Sequence, residues 1–180
     1  MVMDKIQVLD KHFKMYIPES EIQEIVRRLA AEISHDFKGK RPLLCPILTG
    51  SFMFAADLIR ELDLDSKVAF VRYASYMGLQ STGQVQELMG FPGDCRGRDV
   101  IIIEDIIDTG ISMEYMLQQL QNLKPASISI CAFLYKPNSF RKNYKIDYIG
   151  KSIPNDFIVG YGLDYDGMGR TYRDIYVLDE

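Results

Sequence analysis

The feature that most constrains this chain is the run at residues 100–112, which reads Val-Ile-Ile-Ile-Glu-Asp-Ile-Ile-Asp-Thr-Gly-Ile-Ser. It opens with consecutive β-branched apolar residues, a pattern typical of a strand that is covered on both faces in a parallel sheet. The polar and glycine positions after this opening are Glu104, Asp105, Asp108, Thr109, Gly110 and Ser112. Apolar residues then recur at helical spacing. The run therefore predicts a strand, an acidic edge, a tight loop and the start of a helix.

A loop of this kind is suited to binding a phosphate monoester. Backbone N–H groups at a helix N-terminus lack helical partners, and the helix dipole favours an anion there. Gly110 allows a sharp turn and a close approach to a ligand. The run has no Walker lysine after the glycine, and the chain has no Gly-x-Gly-x-x-Gly motif. Because three carboxylates would repel a phosphate, we expect them to bind sugar hydroxyls and Mg²⁺, so the predicted ligand is a phosphorylated sugar with a metal-bound anion nearby.

Composition narrows the class of protein. The length of 180 residues and the hydrophobic content of 47% predict one domain with a substantial core. The formal net charge of −4 argues against nucleic acid as the main partner. The cysteines are few and widely spaced, which predicts reduced packing residues rather than disulfides or a zinc site. No secretory signal or membrane span is visible, so we expect a cytoplasmic protein that does not bind membranes.

Other segments have the pattern of an α/β protein. The first clear strand, residues 41–48, runs into Thr49, Gly50 and Ser51 and then into a helix, which is again an anion-binding geometry. An earlier helix opens at Pro18 and Ser20, with a predicted capping box between Ser20 and Gln23. Further strands are predicted at 68–73 and 127–134, and the polar segment 74–90 between them has the composition of a lid. Alternating strands and helices predict a parallel sheet with right-handed crossovers and ligands at the carboxyl ends of its strands.

The run from Glu104 to Ser112 closely resembles the phosphoribosyl pyrophosphate signature of type I phosphoribosyltransferases. The chain from about residue 41 onward is similar to the hypoxanthine–guanine branch of that family. The resemblance implies an α/β type I phosphoribosyltransferase fold, a central parallel sheet flanked by helices. It implies one domain over residues 1–180, with a core at about 38–140 and a small hood formed by the N-terminal arm and residues from about 141 to 180.

The resemblance also implies a reaction in purine salvage. The 5-phosphoribosyl group would move from phosphoribosyl pyrophosphate to N9 of hypoxanthine, and of guanine, giving IMP or GMP and pyrophosphate, with Mg²⁺ as the cofactor. The residues implied for phosphoribosyl pyrophosphate are Leu48, Thr49, Gly50, Ser51, Ser75, Tyr76, Glu104, Asp105, Asp108, Thr109, Gly110, Ile111, Ser112 and Arg170. Thr49 stands where many relatives carry a lysine. In the family the peptide bond entering this position can be cis, which the sequence leaves open, and the pair Ser75-Tyr76 closes over the site to exclude water.

The remaining implied roles concern the base, the metal and the proton. The purine would contact Lys136, Phe157, Ile158 and Asp164. Phe157 would stack on the base, and Lys136 would donate to the exocyclic oxygen of a 6-oxopurine, because a lysine carries only donors and would reject the 6-amino group of adenine. Glu104, Asp105 and Asp164 would bind metal. Asp108 would act as the catalytic acid or base near purine N7.

Two alternatives belong to other functional classes. A ligand-sensing regulator that binds RNA or DNA would need a basic face or an added DNA-binding module, and the sequence shows neither. A non-catalytic homologue would be expected to lose Asp108 or the acidic pair, and all three residues are present. A nearer alternative is a transferase that prefers xanthine or guanine. The expected partners are small-molecule substrates, and the expected assembly is a homodimer or homotetramer.

Overall fold

The computed structural model describes residues 4–75 and 85–179. The helices are α1 (Glu19–Asp36), α2 (Phe52–Glu61) and α3 (Ile111–Asn122). The strands are β1 (Lys5–Val8), β2 (Lys11–Ile17), β3 (Leu43–Leu48), β4 (Lys67–Val68), β5 (Val71–Ser75), β6 (Val85–Met89), β7 (Asp99–Ile107), β8 (Ser127–Tyr135), β9 (Tyr148–Ser152), β10 (Ile158–Val159) and β11 (Ile175–Leu178). The elements form two sheets.

The larger sheet has seven strands in the order β6-β5-β3-β7-β8-β9, with β4 beside β3. Its neighbours are parallel except for β5 and β6, which form an antiparallel hairpin. The α/β prediction is therefore confirmed. The segment predicted as a strand at 68–73 is divided between β4 and β5.

The central strand is β7, and its position follows from its composition. Val100, Ile101, Ile102 and Ile103 are fully buried, as expected for a strand with both faces covered. The strand continues to Ile107, further than the apolar run indicated. The residues predicted to follow the strand, Glu104 and Asp105, therefore lie within it and are held by the ladder to β8.

The smaller sheet has the order β1-β2-β11-β10 and is antiparallel. Its apolar face is built around Phe13 and Tyr176, which are almost completely buried. The expectation that the hood begins at about residue 141 needs correction, because β9 pairs with β8 in the larger sheet. The C-terminal part of the smaller sheet begins only at β10.

Helix α1 buries the apolar stripe that the sequence indicated, which includes Ile22, Leu29 and Ile33. The predicted capping box is wrong. No side chain of the preceding segment caps the helix, and instead the backbone N–H of Glu19 donates to Oδ1 of Asp174 at 2.8 Å. The cap therefore comes from the opposite end of the chain.

The three cysteines, Cys45, Cys95 and Cys131, are buried and free, in agreement with their predicted packing role. Burial raises the pKa of each thiol. In the part of the chain that the structure describes, no helix is long and apolar enough to cross a bilayer.

A single methyl group tests the packing of β8, β9 and α1. A Cβ at Gly150 would overlap the carbonyl oxygen of Phe133 and lie 2.8 Å from a methyl group of Ile25. Because this backbone contact cannot relax cheaply, we expect Gly150→Ala to lower the free energy of unfolding by about 1–3 kcal/mol. Gly93→Ala is the matched control, since its Cβ would meet nothing within 4 Å. Urea unfolding compares the two, and equal stabilities would contradict this packing.

Candidate active site

The loop between β7 and α3 is shaped by a glycine. Gly110 has φ +81°, and a Cβ there would lie 2.6 Å from the ring of Phe140 and 2.7 Å from the hydroxyl of Tyr144. The Tyr144 hydroxyl donates to the carbonyl oxygen of Gly110 at 3.1 Å, and the N–H of Arg141 donates to the carbonyl oxygen of Thr109 at 3.2 Å. The segment after β8 therefore holds the loop from behind. Only glycine fits at its apex.

This loop lines a cavity of about 140 Å³ together with the end of β7. The lining residues are Glu104, Ile106, Ile107, Asp108, Thr109, Gly110, Ile111, Ser112 and Met113. The hydroxyl-bearing residues Thr109 and Ser112 are exposed, and the first turn of α3 forms one wall. A helix N-terminus beside hydroxyl groups provides hydrogen-bond donors and a favourable dipole for an anion. The structure thus brings together the residues predicted for the phosphate.

The acidic pair at the end of β7 is partly shielded from water. Burial raises the pKa of Glu104 well above its ordinary value, and the nearby charge of Asp105 adds to this effect. Burial also raises the pKa of Asp105, although hydrogen bonds, including one from the N–H of Ile106 at 2.9 Å, oppose the rise. Two carboxylates in one partly buried place repel each other. A cation bound between them would relieve both the burial cost and the repulsion.

Asp108 and Lys136 meet across the ends of β7 and β8. The ammonium of Lys136 lies 3.3 Å from Oδ2 of Asp108, and its side chain is only 11% exposed, against 48% for Asp108. The backbone N–H of Lys136 donates to the carbonyl oxygen of Ile107 at 3.0 Å, so the lysine is fixed at the end of the sheet. The structure therefore pairs two residues whose predicted targets, N7 and the 6-oxo oxygen, are neighbours on one edge of the purine.

The loop between β3 and α2 approaches the acidic pair closely. A Cβ at Gly50 would overlap the carboxylate of Asp105, so only glycine allows this contact. The hydroxyl of Ser51 is buried and donates to the carbonyl oxygen of Ile47 at 2.5 Å, which gives it a role within the loop. Thr49 is exposed. The Leu48–Thr49 peptide, which the sequence left open, is cis.

A turn from the C-terminal segment packs against the same loop. Gly162 has φ +98°, and a Cβ there would overlap the carbonyl oxygen of Gly50. The next polar residue, Asp164, accepts from Arg170 at 2.7 Å and from the N–H of Gly167 at 2.7 Å. Arg170 also donates to the carbonyl oxygen of Gly162 at 2.6 Å. The predicted metal ligand and the predicted pyrophosphate ligand are therefore bonded to each other.

The predicted stacking residue, Phe157, is 44% exposed and flanked by two aromatic rings. Phe13 lies 6.2 Å away between centroids, and Tyr165 meets Phe157 edge-on at 5.8 Å. The hydroxyl of Tyr165 donates to Oδ1 of Asp10 at 3.0 Å. The turn between β1 and β2 thus supports the ring that faces Phe157. Ile158, predicted to meet the purine through its backbone, is buried in β10.

Some contributing residues were missed by the sequence reasoning. Tyr144 and Phe140 shape the phosphate loop, and Tyr165 supports Phe157, but each acts across a contact that no local pattern indicates. Ser75 lies at the end of β5, where only its backbone is described. Tyr76 and the tip of the predicted lid, residues 76–84, lie outside the described residues.

The sequence matches the family described as phosphoribosyl transferase domain over residues 17–166. This span contains the loop at Gly110, the acidic pair in β7 and both Asp108 and Lys136. The chain belongs to the phosphoribosyltransferase family.

The relatives place it within one branch of that family. The hypoxanthine-guanine phosphoribosyltransferase of Staphylococcus aureus is 40% identical over 160 residues, which cover 88% of this chain and 89% of that protein. The Staphylococcus epidermidis protein of the same name is 42% identical over 157 residues, covering 86% and 87%. The crystal structure of a hypoxanthine-guanine phosphoribosyltransferase from Bacillus anthracis matches with a TM-score of 0.86 at 34% identity, covering 93% and 97%. The branch and the type I fold predicted from the sequence are confirmed.

Enzymes of this family use Mg²⁺ together with phosphoribosyl pyrophosphate. Within residues 4–75 and 85–179, no three His, Cys, Asp or Glu side chains are grouped closely enough to hold a metal ion on their own. Glu104, Asp105 and Asp164 therefore do not form one protein-only site. The half-buried pair Glu104 and Asp105 in β7 still suits Mg²⁺, because this ion is usually held by one or two carboxylates while waters and substrate phosphates complete its shell.

The glycine at the phosphate loop can be tested against a glycine of the same backbone conformation. Gly39 has φ +77°, but its Cβ would meet nothing within 4 Å. Both Gly39→Ala and Gly110→Ala should cost about 1–2 kcal/mol through the left-handed backbone. Only in Gly110→Ala does the new methyl group overlap Phe140 and Tyr144, and we expect this overlap to lower the free energy of unfolding by a further amount of about 1–3 kcal/mol.

Urea unfolding gives the stabilities of the two variants, and calorimetry gives their affinity for ribose 5-phosphate. We expect this affinity to fall only in Gly110→Ala, because the overlap displaces the loop. Equal losses of stability together with wild-type affinity in both variants would show that the aromatic contacts do not shape the loop.

Proposed function

We propose that this protein catalyses purine salvage by transferring the 5-phosphoribosyl group from phosphoribosyl pyrophosphate to N9 of hypoxanthine and guanine. The products are IMP or GMP and pyrophosphate. The observation that carries the proposal is the end of β7. There a half-buried acidic pair leads into a glycine-shaped helix N-terminus, directly beside the Asp108–Lys136 ion pair.

The 5′-phosphate is assigned to the cavity at the start of α3. Backbone amides of the segment from Asp108 to Ser112, with Ile111 at the first helical position, and the hydroxyls of Thr109 and Ser112 supply donors there. Glu104 and Asp105 bind the ribose hydroxyls on the side of the cavity nearer to the strand. Glu104 and Asp108 also line this cavity, but in this assignment Glu104 binds the ribose and the charge of Asp108 is offset by its ion pair with Lys136.

The pyrophosphate is assigned to the loop of Leu48, Thr49, Gly50 and Ser51 and to Arg170. Backbone amides of the loop and the guanidinium are suited to an anion on which charge develops during the reaction. Mg²⁺ bound at Glu104 and Asp105, or at Asp164, would neutralise part of that charge. Arg170 would exchange its contact with Asp164 for the pyrophosphate when substrate binds. Ser75 and Tyr76 are proposed to cover this end of the site.

The purine is assigned to the space between Lys136 and Phe157. Lys136 donates to the 6-oxo group, Phe157 stacks on the ring, and the backbones of Ile158 and Asp164 contact the base edge. In the reaction the bond from C1′ to pyrophosphate breaks and the bond from C1′ to purine N9 forms. Asp108 manages the proton of the purine near N7, where its partly exposed carboxylate can reach the base.

The wider setting follows from this assignment. We propose a single domain over residues 1–180 that acts in the cytoplasm on small molecules, with neither nucleic acid nor membrane as a partner. The proposed assembly is a homodimer or homotetramer. Light scattering at working concentration measures the assembly, and a monomeric mass would contradict it.

Steady-state kinetics with four bases tests the proposed activity. We expect turnover of hypoxanthine and guanine with phosphoribosyl pyrophosphate and Mg²⁺, and none of adenine, whose 6-amino group offers Lys136 no acceptor. Activity should disappear after exhaustive EDTA treatment and return with Mg²⁺. Turnover of adenine at the rate of hypoxanthine would contradict the role of Lys136, and full turnover in EDTA would contradict the metal requirement. Ligand binding without turnover of any base would favour a regulator.

Asp108→Asn tests the proton-handling role. Asparagine keeps the shape and the hydrogen bonding of the side chain but cannot titrate, so we expect kcat to fall by about 10²–10⁴-fold. The affinity for phosphoribosyl pyrophosphate should change much less, because the loop amides remain. The matched control is Asp65→Asn, which removes a carboxylate from an exposed ion pair with Arg41 and should leave kcat unchanged.

The alternative is that Asp108 serves only the local structure of the loop. Asparagine would then substitute for it with little effect. A kcat within about threefold of the wild type, with the chemical step shown to limit the rate, would falsify the acid–base assignment.

A further inference from the structure

The turn that precedes Asp164 has an unusual backbone. Gly160, Tyr161 and Gly162 all have positive φ, of 102°, 49° and 98°. Tyr161 is the only one of the three with a side chain, and L-residues rarely adopt this conformation. Its N–H donates to the carbonyl oxygen of Tyr172 at 2.9 Å. Something must hold a large side chain in this position, because the backbone alone disfavours it.

The side chain of Tyr161 is packed in the hydrophobic core together with Phe133 of β8. It is buried, its ring lies 5.2 Å from that of Phe133, and its hydroxyl donates to Oδ2 of Asp57 at 2.8 Å. The side-chain amide of Gln23 donates to the same oxygen at 3.0 Å. Asp57 therefore joins α1, α2 and the turn in one hydrogen-bonded cluster.

The hydrogen bond between Tyr161 and Asp57 connects two walls of the proposed site, the Gly50 loop and the turn that leads to Asp164. Asp57 lies on α2, the helix that begins directly after the loop of Gly50. On the other side, Gly162 packs against the carbonyl oxygen of Gly50 and bonds Arg170 through both its N–H and its carbonyl group. One helix thus carries the pyrophosphate loop at its start and holds the turn that leads to Asp164 and Arg170.

The hydrogen bond to Asp57 acts together with packing to hold the tyrosine, because one side of the cluster is not filled by protein atoms. A cavity of about 300 Å³ adjoins the cluster, and its lining includes Gln23, Met53, Asp57 and Tyr161. This space leaves room for the ring to shift once the hydroxyl has lost its partner. The contact between Gly162 and Gly50 would shift with it.

We propose that Tyr161 and Asp57 are positioning residues that set the spacing between the Gly50 loop and the Asp164–Arg170 pair. They thereby tune the pyrophosphate end of the site while leaving the phosphate cavity and the purine contacts of Lys136 unchanged. This inference rests on the proposed function, which assigns the pyrophosphate of the substrate to the Gly50 loop and to Arg170.

Tyr161→Phe tests the proposal by removing only the hydroxyl. We expect the KM for phosphoribosyl pyrophosphate to rise about three- to tenfold, the range expected for the loss of one hydrogen bond. The Mg²⁺ concentration for half-maximal rate should rise with it, while the KM for hypoxanthine stays within about twofold. A purely structural role would not produce this separation between the two substrates.

Tyr148→Phe is the matched control. Tyr148 is also a buried tyrosine whose hydroxyl donates to an aspartate, Asp36, at 2.8 Å, but it joins β9 to the end of α1, away from the site. We expect it to lose similar thermal stability with unchanged kinetics. Asp57→Ala should reproduce the kinetics of Tyr161→Phe, the double variant should add little to either, and Asp57→Asn, which keeps an oxygen acceptor, should recover most of the affinity.

The outcomes separate this inference from the proposed function. Wild-type protein that turns over no purine would overturn both. An active wild type with an unchanged KM for phosphoribosyl pyrophosphate in Tyr161→Phe would overturn only the positioning role. Equal kinetics in Tyr161→Phe and Tyr148→Phe would do the same, whatever their stabilities. Because Tyr161→Phe removes only the hydroxyl and retains the aromatic ring for the core, its result decides the question even if Asp57→Ala does not fold.

Discussion

The spacing of the whole site depends on a backbone contact at Gly50. The end of β7 approaches this glycine through Asp105, and the C-terminal turn approaches it through Gly162. An added methyl group would overlap the Asp105 carboxylate, which the N–H of Ile106 holds, in the first case and the carbonyl oxygen of Gly50 in the second. The width of the site is therefore set by van der Waals contact of the Gly50 backbone with the Asp105 carboxylate on one side and with the Gly162 backbone on the other, and packed interiors yield little to such overlap.

The charges of the site are arranged unequally on this frame. Asp108 and Asp164 each pair with a basic side chain, at 3.3 and 2.7 Å. Burial instead raises the pKa of Glu104 and of Asp105. The unfavourable electrostatic free energy of the site is thus concentrated at these two carboxylates of β7. A cation is proposed to bind there, so the free energy lost in folding becomes available to binding.

The local features of the site were predictable from the sequence. Its contacts between segments that are distant in the sequence were not. The apolar run of β7, the glycine at position 110 and the apolar stripe of α1 are governed by nearest neighbours in the chain, so their patterns indicate them directly. The cap of α1 is supplied by Asp174, and the tyrosine behind the phosphate loop is Tyr144. Both depend on which distant segment the fold brings close, and neither has a local signature. The placement of β9 was missed for the same reason.

The ion pair between Asp108 and Lys136 has a consequence for selectivity. With no base bound, the ammonium of Lys136 is already paired with Asp108. The net binding free energy of a purine is therefore measured against this ion pair. A base gains nothing by merely approaching the ammonium; it must offer a better acceptor than the carboxylate that it displaces, or share the lysine with it. Under the roles proposed here, discrimination is an exchange equilibrium inside the protein. A weak acceptor then loses to Asp108 before it competes with any other base.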